Sequence, residues 1–145
     1  MPEKVMKKVI LTYVALSLAA ILMLITMACS STSKATQLVG QVETVSPDQF
    51  KQGLQQGNVQ LVDVRSAEEY AEGHLEGAVN IDVQEPEFQA ETSRELQKEK
   101  KVYVYCRSGR RSLLAGEMLA KDGFTVVDLD GGILAWIKAG LPVVK

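Results

Sequence analysis

The chain has 145 residues, which suits one domain of ordinary size and is too short for two. Its formal net charge is −2, so it lacks the broad basic surface that a nucleic-acid-binding protein needs. Two cysteines and one histidine, with no CxxC spacing, are too few for a protein-bound metal. The composition therefore predicts a single domain with no nucleic-acid partner and no metal site.

The N-terminal segment over 1–28 has the features of an export signal in their usual order. Three lysines precede an uncharged apolar run over 9–28, and Cys29 follows directly. Cys29 occupies the position of the lipidation site of a bacterial lipoprotein, although Thr26 stands where the lipoprotein box usually has leucine. The run is also close to the ~20 residues that span a bilayer, so an uncleaved membrane anchor is the alternative. Both interpretations predict an extracytoplasmic domain on the periplasmic side of a bacterial cell envelope, tethered to the membrane through its N-terminus.

A polar tether over 29–41 leads into a domain over 42–145 in which strand-like and helix-like segments alternate. The predicted strands lie at 42–45, 59–64, 78–81, 101–106 and 125–129, and the predicted helices at 46–57, 66–73, 86–98, 112–123 and 131–140. Ser46 and Ser66 begin two of these helices in capping-box patterns, with glutamine or glutamate three residues later. Apolar, β-branched strands that alternate with helices predict an α/β domain with a largely parallel sheet.

Cys106 lies at an expected ligand-binding position. It ends an apolar strand, and parallel α/β sheets bind ligands beyond the carboxyl ends of their strands. Three of the five residues after it are arginines, and Gly109 lets the loop backbone approach a ligand. Such a loop can point N–H groups inward at a helix N-terminus and form an anion nest. These charges favour a thiolate, so we predict that Cys106 is a nucleophile. A disulfide with Cys29 and an inert packed cysteine are the alternatives.

Three stretches of the sequence resemble the landmark stretches of a rhodanese domain. They are LVDVRSAEEYAEGHLEGAVNI at 61–81, YCRSGRRS at 105–112 and GGILAW at 131–136, and they occur in the family's order and spacing. The resemblance covers about residues 42–144 and is strongest to short, exported, single-domain rhodaneses. It implies a monomeric three-layer α/β domain with a largely parallel central sheet flanked by helices.

The resemblance also implies a sulfurtransferase that needs no cofactor. Cys106 would take sulfane sulfur from a small anionic donor such as thiosulfate, hold it as a persulfide, and pass it to cyanide or a thiol. The family's anion-binding loop corresponds to the residues that follow this cysteine, namely Arg107, Ser108, Gly109, Arg110, Arg111 and Ser112. Ser112 would start the next helix, where its hydroxyl could cap the helix or contact the sulfur.

Two other functions remain open on this architecture. Phosphatases and arsenate reductases of related fold use Cys-x5-Arg, in which the arginine clamps a tetrahedral oxyanion. Counted from Cys106, that position holds Ser112, and Arg111 lies one residue too early, so the spacing favours sulfur transfer. A non-catalytic module that binds sulfane sulfur would normally lack the cysteine or an intact loop, and this sequence has both.

Three further residues of the family pattern are expected to support the loop from outside it. Asp63 and Arg65 end a buried strand, where a structural ion pair or a loop-bracing hydrogen bond is favoured over substrate contact. His74 lies in a GHLEGA turn, where its ring can hydrogen-bond to backbone. Because an activated cysteine needs no separate base, we predict a structural role for this histidine.

Overall fold

The computed structural model of the protein describes Glu3, Met6, Lys7 and residues 40–145. The predicted apolar run, Cys29 and most of the tether lie outside the described residues. Within the described part of the chain, no helix is both long enough and apolar enough to cross a membrane.

Strands and helices alternate regularly along the domain, as the sequence predicts. In chain order the elements are β1 (Val42–Val45), α1 (Pro47–Gln55), β2 (Val59–Asp63), α2 (Ala67–Glu72), β3 (Val79–Asn80), α3 (Phe88–Glu95), β4 (Lys101–Tyr105), α4 (Arg110–Lys121), β5 (Val126–Leu129) and α5 (Gly132–Lys138). Both predicted capping boxes are present, because the hydroxyls of Ser46 and Ser66 accept hydrogen bonds from the N–H groups of Gln49 and Glu69.

The strands of the described domain form one sheet in the order β1-β5-β4-β2-β3, and every neighbouring pair is parallel. β4 is the central strand, and its residues from Val102 to Tyr105 are buried. Burial on both faces is usual for a parallel strand and accounts for the continuous apolar run. Because the carboxyl ends of all the strands meet at one edge, Cys106 lies near the middle of that edge. The predicted α/β fold with a parallel sheet is confirmed.

Helices cover both faces of the sheet, which gives the domain three layers. On one face α3 and α4 contribute Phe88 and Leu119 to a core that also contains Cys106. On the other face α1 and α5 contribute Phe50 and Trp136, whose rings meet edge to face with their centroids 6.3 Å apart. The alternation of side chains along β4 supplies both cores from one strand.

The start of α4 differs from the prediction. The sequence places the helix start at Ser112, whereas α4 begins at Arg110 with Gly109 as its cap. Gly109 has a φ of 97°, a left-handed conformation that glycine adopts without steric cost, and it therefore ends the loop early. Ser112 lies in the first turn, where its buried hydroxyl donates to the carbonyl of Gly109 at 3.2 Å. The prediction that Ser112 starts the helix is therefore wrong, and its hydroxyl does not cap the helix N-terminus.

Candidate active site

Cys106 is a free cysteine that joins the central strand to α4. Its side chain is only 1% exposed, and its Sγ accepts a hydrogen bond from the N–H of Gly109 at 3.1 Å. α4 begins without a side-chain cap, so the N–H groups of its first turn are left for a ligand. The positive end of the helix dipole lies at the same place. The loop can therefore hold a negative charge on or beside the sulfur.

The first turn of a second helix, α5, packs against the loop. The N–H of Ile133 donates to the carbonyl of Cys106 at 2.8 Å, and the N–H of Leu134 donates to the carbonyl of Arg107 at 3.2 Å. Gly132, which has a φ of 60°, lies directly against these carbonyls. A Cβ atom at this position would lie 2.5 Å from the Cys106 oxygen and 2.6 Å from the Arg107 carbonyl. Only glycine fits here, and we refer to the two hydrogen bonds and Gly132 as the α5 clasp.

The α5 clasp is a part of the site to which sequence reasoning assigned no role. The GGILAW stretch served only as a landmark of the family. The sequence signal for this contact is the pair of consecutive glycines between a strand and a helix, because such a pair often marks a close approach of backbone.

The three loop arginines occupy different environments. Arg111 is half-buried and forms a bidentate pair with Glu69 of α2, with both N–O distances at 2.7 Å. These hydrogen bonds raise the pKa of Arg111 and lower the pKa of Glu69. Arg107 and Arg110 are exposed, as is Ser108, and neither arginine has an ion-pair partner in the described part of the chain. Two of the three cations are thus free to meet an anion, and the third links α4 to α2.

Asp63 and Arg65 form a buried ion pair at the carboxyl end of β2. Their side chains are 0% and 7% exposed, and the shortest N–O distance is 2.6 Å. The same guanidinium donates to the carbonyl of Gly73 at 2.8 Å and lies over the ring of Tyr105 at 5.7 Å. Burial opposes the charge of Arg65, but the hydrogen bonds and charge of Asp63 outweigh it and raise the pKa of Arg65. The pair braces the turn after α2 against the sheet.

His74 is engaged with its own turn. Its ring stacks on Tyr70 with the centroids 3.7 Å apart, and its Nδ1 lies 3.1 Å from the Tyr70 carbonyl oxygen. Its backbone exchanges two hydrogen bonds with Val144, at 2.9 and 2.8 Å. These contacts tie the C-terminal segment to the turn after α2.

Asp128 of β5 is a buried carboxylate that the sequence analysis did not single out. The residue is 2% exposed and is paired in register with Val104 of the central strand. One carboxylate oxygen accepts from the Thr44 hydroxyl at 3.2 Å, and the other has no hydrogen-bond partner among the described residues. Burial raises the pKa of Asp128, although the hydroxyls of Ser112 and Thr44 oppose this effect. An acidic residue within the apolar VVDL strand was the available signal.

A cleft of about 540 Å³ opens beside the loop. Its charged lining includes Arg107, Glu69 and Glu72, and its apolar lining includes Leu134, Ile137 and Val143. No group of three His, Cys, Asp or Glu side chains within the described ranges is arranged to hold a metal ion. The cleft therefore offers charged and apolar contacts to a small molecule that approaches the loop.

Replacing Glu69 with glutamine should weaken the link between α2 and α4 in a pH-dependent manner. Because Arg111 holds the pKa of Glu69 below its ordinary value of 4.5, the carboxylate stabilises the folded state above that pH. This stabilisation is lost as the pH falls through the lowered pKa. We therefore expect Glu69→Gln to reduce the free energy of unfolding by about 1 kcal/mol at neutral pH, and the deficit to vanish in acid.

The measurement is urea unfolding of both proteins between about pH 3 and 7. Glu72→Gln is the matched control, because Glu72 ends the same helix and is exposed, without an ion pair among the described residues. A deficit of Glu69→Gln that stays constant over this range would contradict the assignment.

Known proteins are similar to this chain in fold and in sequence. A solved rhodanese-related protein from Thermoplasma volcanium superposes with a TM-score of 0.63 at 31% identity, over 70% of this chain and 97% of that one. A curated sulfurtransferase from Allochromatium vinosum is 38% identical over 88 residues, which are 60% of this chain and 79% of the relative. Thiosulfate sulfurtransferase 16 from Arabidopsis thaliana is 37% identical over 91 residues, which are 56% of this chain and 76% of the relative.

The match does not extend over the full length of every relative. The chain spans between 38% and 65% of the length of four other curated relatives. The sequence model of the rhodanese-like domain matches residues 46–139, which is more than half of the chain. The matched region runs from the cap of α1 to the end of α5 and so includes the loop and its clasp. The chain therefore belongs to the rhodanese-like domain family.

Proposed function

We propose that this protein is a sulfurtransferase that moves sulfane sulfur from a donor such as thiosulfate to a thiophilic acceptor through a persulfide on Cys106. The observation that carries the proposal is the hydrogen bond from the Gly109 N–H to Cys106 Sγ at the uncapped start of α4. A thiolate is the reactive form of cysteine, and an N–H donor and a helix N-terminus stabilise it.

In the first step the Cys106 thiolate attacks the outer sulfur of thiosulfate. A sulfur–sulfur bond forms to the cysteine, the sulfur–sulfur bond of thiosulfate breaks, and sulfite leaves with the bonding electrons. The product on the enzyme is an anionic persulfide, so the charge stays within the loop. N–H groups that point at this charge need no reorganisation during the step, which makes them effective.

We assign the loop arginines different roles in this step. Arg107 and Arg110 are exposed and without ion pairs among the described residues, so they are available to the sulfonate of the donor. The bidentate pair with Glu69 supports a positioning role for Arg111, which fixes the start of α4. In the second step an acceptor such as cyanide or a thiolate attacks the outer sulfur of the persulfide and releases the Cys106 thiolate.

The spacing of the loop supports sulfur transfer over phosphate chemistry. A Cys-x5-Arg loop would need an arginine at the position of Ser112. This serine is buried, and its hydroxyl donates to the carbonyl of Gly109 within the first turn of α4. Arg111, one residue earlier, is paired with Glu69.

Replacement of Cys106 by serine tests the proposed nucleophile. We expect the full chain to gain one sulfur atom on treatment with thiosulfate, and Cys106→Ser to gain none, as measured by intact mass. Cys29→Ser is the matched control and should load sulfur like the parent protein. Sulfur loading that persists in Cys106→Ser would refute the assignment, hydrolysis of an aryl phosphate without loading would favour a phosphatase, and failure of both in a folded protein would favour a non-catalytic module.

Replacement of Gly132 by alanine tests the α5 clasp. A Cβ at Gly132 would meet the carbonyls of Cys106 and Arg107, so the loop must move. We expect the rate of sulfur loading to fall by roughly tenfold or more, because small displacements of reacting groups are costly.

Gly140→Ala is the matched control for this change. Gly140 has a similar φ of 74° but has no atoms within 4 Å of its missing Cβ. Both variants carry the strain of a left-handed alanine, and only Gly132→Ala carries the clash. Equal losses of sulfur loading in the two variants would show that the clasp does not hold the reacting loop.

We also propose that the domain works outside the cytoplasm, tethered to the envelope through lipidated Cys29 or through an uncleaved N-terminal helix. The basic start, the apolar run and the cysteine after Ala28 support this location. Fractionation of a bacterial host followed by intact mass of the native protein is the test. We expect the protein in the membrane fraction, with either a lipid on an N-terminal Cys29 or the full leader; an unmodified full-length protein in the cytosol would contradict the proposal.

A further inference from the structure

Three apolar side chains are exposed beside the reacting loop. Leu134, Ile137 and Val143 are 49%, 51% and 40% exposed, respectively. All three line the same cleft as Arg107, the residue that follows the proposed nucleophile. We call this set the apolar wall. Exposed apolar side chains that share one cleft are more informative than the same residues scattered over a surface.

The apolar wall is joined to the loop by a backbone hydrogen bond. Leu134 donates its N–H to the carbonyl of Arg107 at 3.2 Å, so the wall begins at the turn of α5 that clasps the loop. Ile137 follows three residues later on α5 and therefore lies on the same side of the helix. A molecule whose sulfur reacts at Cys106 would have the wall within reach of its remaining atoms.

The charges of the cleft restrict which charged groups such a molecule can carry. Glu69 is paired with Arg111, and Arg65 is paired with Asp63. Among the described lining residues, this leaves Arg107 and Glu72 with unpaired charges. Arg107 attracts an attacking anion, whereas Glu72 repels a second anionic group on the same molecule. Cyanide and inorganic thiosulfate have no apolar part that could cover the wall.

We propose that the physiological acceptor is a low-molecular-weight organic thiol whose uncharged apolar tail packs on Leu134, Ile137 and Val143. This inference rests on the proposed sulfurtransferase function and names the acceptor of the same site. The cleft volume of about 540 Å³ is suited to a small molecule.

The transfer step balances without a further reactant. The thiol loses its proton to solvent and attacks as a thiolate. A bond forms between its sulfur and the outer sulfur of the Cys106 persulfide, and the sulfur–sulfur bond to the cysteine breaks. The organic persulfide leaves as an anion, and Cys106 returns to the thiolate.

The test separates the acceptor half of the reaction from the donor half. The full chain is first loaded with sulfur from thiosulfate, and the loss of that sulfur is then timed by mass with ethanethiol, butanethiol, hexanethiol or cyanide. We expect the rate constant to rise about two- to fourfold for each added methylene until the wall is covered. The same thiols with a small organic persulfide in solution correct for intrinsic reactivity.

Ile137→Ser removes part of the apolar wall without altering the loop. We expect it to lower the ratio of the hexanethiol rate to the cyanide rate by about fivefold. Leu114→Ser is the matched control, because Leu114 is also exposed, at 54%, and lies on α4 outside the cleft. It should leave the ratio unchanged.

The possible outcomes distinguish the two proposals. Equal rates for all alkanethiols, or an equal fall of the ratio in Leu114→Ser, would overturn the acceptor assignment while the sulfur loading still supported a sulfurtransferase. A parent protein that takes up no sulfur from thiosulfate would overturn both.

Discussion

The contact between the first turn of α5 and the loop after β4 is the constraint on which the site depends. A loop that leaves a buried strand must find donors for its carbonyls, and the first N–H groups of a helix lack partners within that helix. In this protein the N–H groups of Ile133 and Leu134 satisfy the carbonyls of Cys106 and Arg107. The loop therefore meets two helix starts, one directed at its carbonyls and one at its sulfur.

The charges around the loop are arranged so that few of them are free. Arg111 forms an ion pair with Glu69, and Arg65 forms one with Asp63. Neither carboxylate therefore carries an unpaired negative charge near the loop. Arg107 and Arg110 then give the loop a local positive field in a chain whose net charge is −2. A field confined to one loop favours a small anion near Cys106 without making the whole surface attractive to polyanions.

Local features and the type of sheet were predictable from the sequence, whereas the contacts of helices with one another and with the loop were not. The capping boxes at Ser46 and Ser66 were predicted correctly because their partners lie three residues away. The parallel sheet followed from the alternation of elements, and it placed Cys106 at a strand end. The start of α4 was missed because Gly109 caps it through backbone conformation, which leaves no side-chain signal. The pair between Arg111 and Glu69 and the clasp around Gly132 depend on how helices dock, which periodicity does not report.

The dependence of the loop on α5 also fixes how much of the chain must be present before the loop can take its final geometry. Cys106 leaves the ribosome before Gly132, so the strand that carries it is made before its clasp exists. Without α5, the carbonyls of Cys106 and Arg107 lack the two donors that bind them in the folded domain. The segment after α5, whose Val144 pairs with His74, then fastens the turn beside the cleft. The geometry of the loop around Cys106 is thus completed by some of the last residues of the domain to be made.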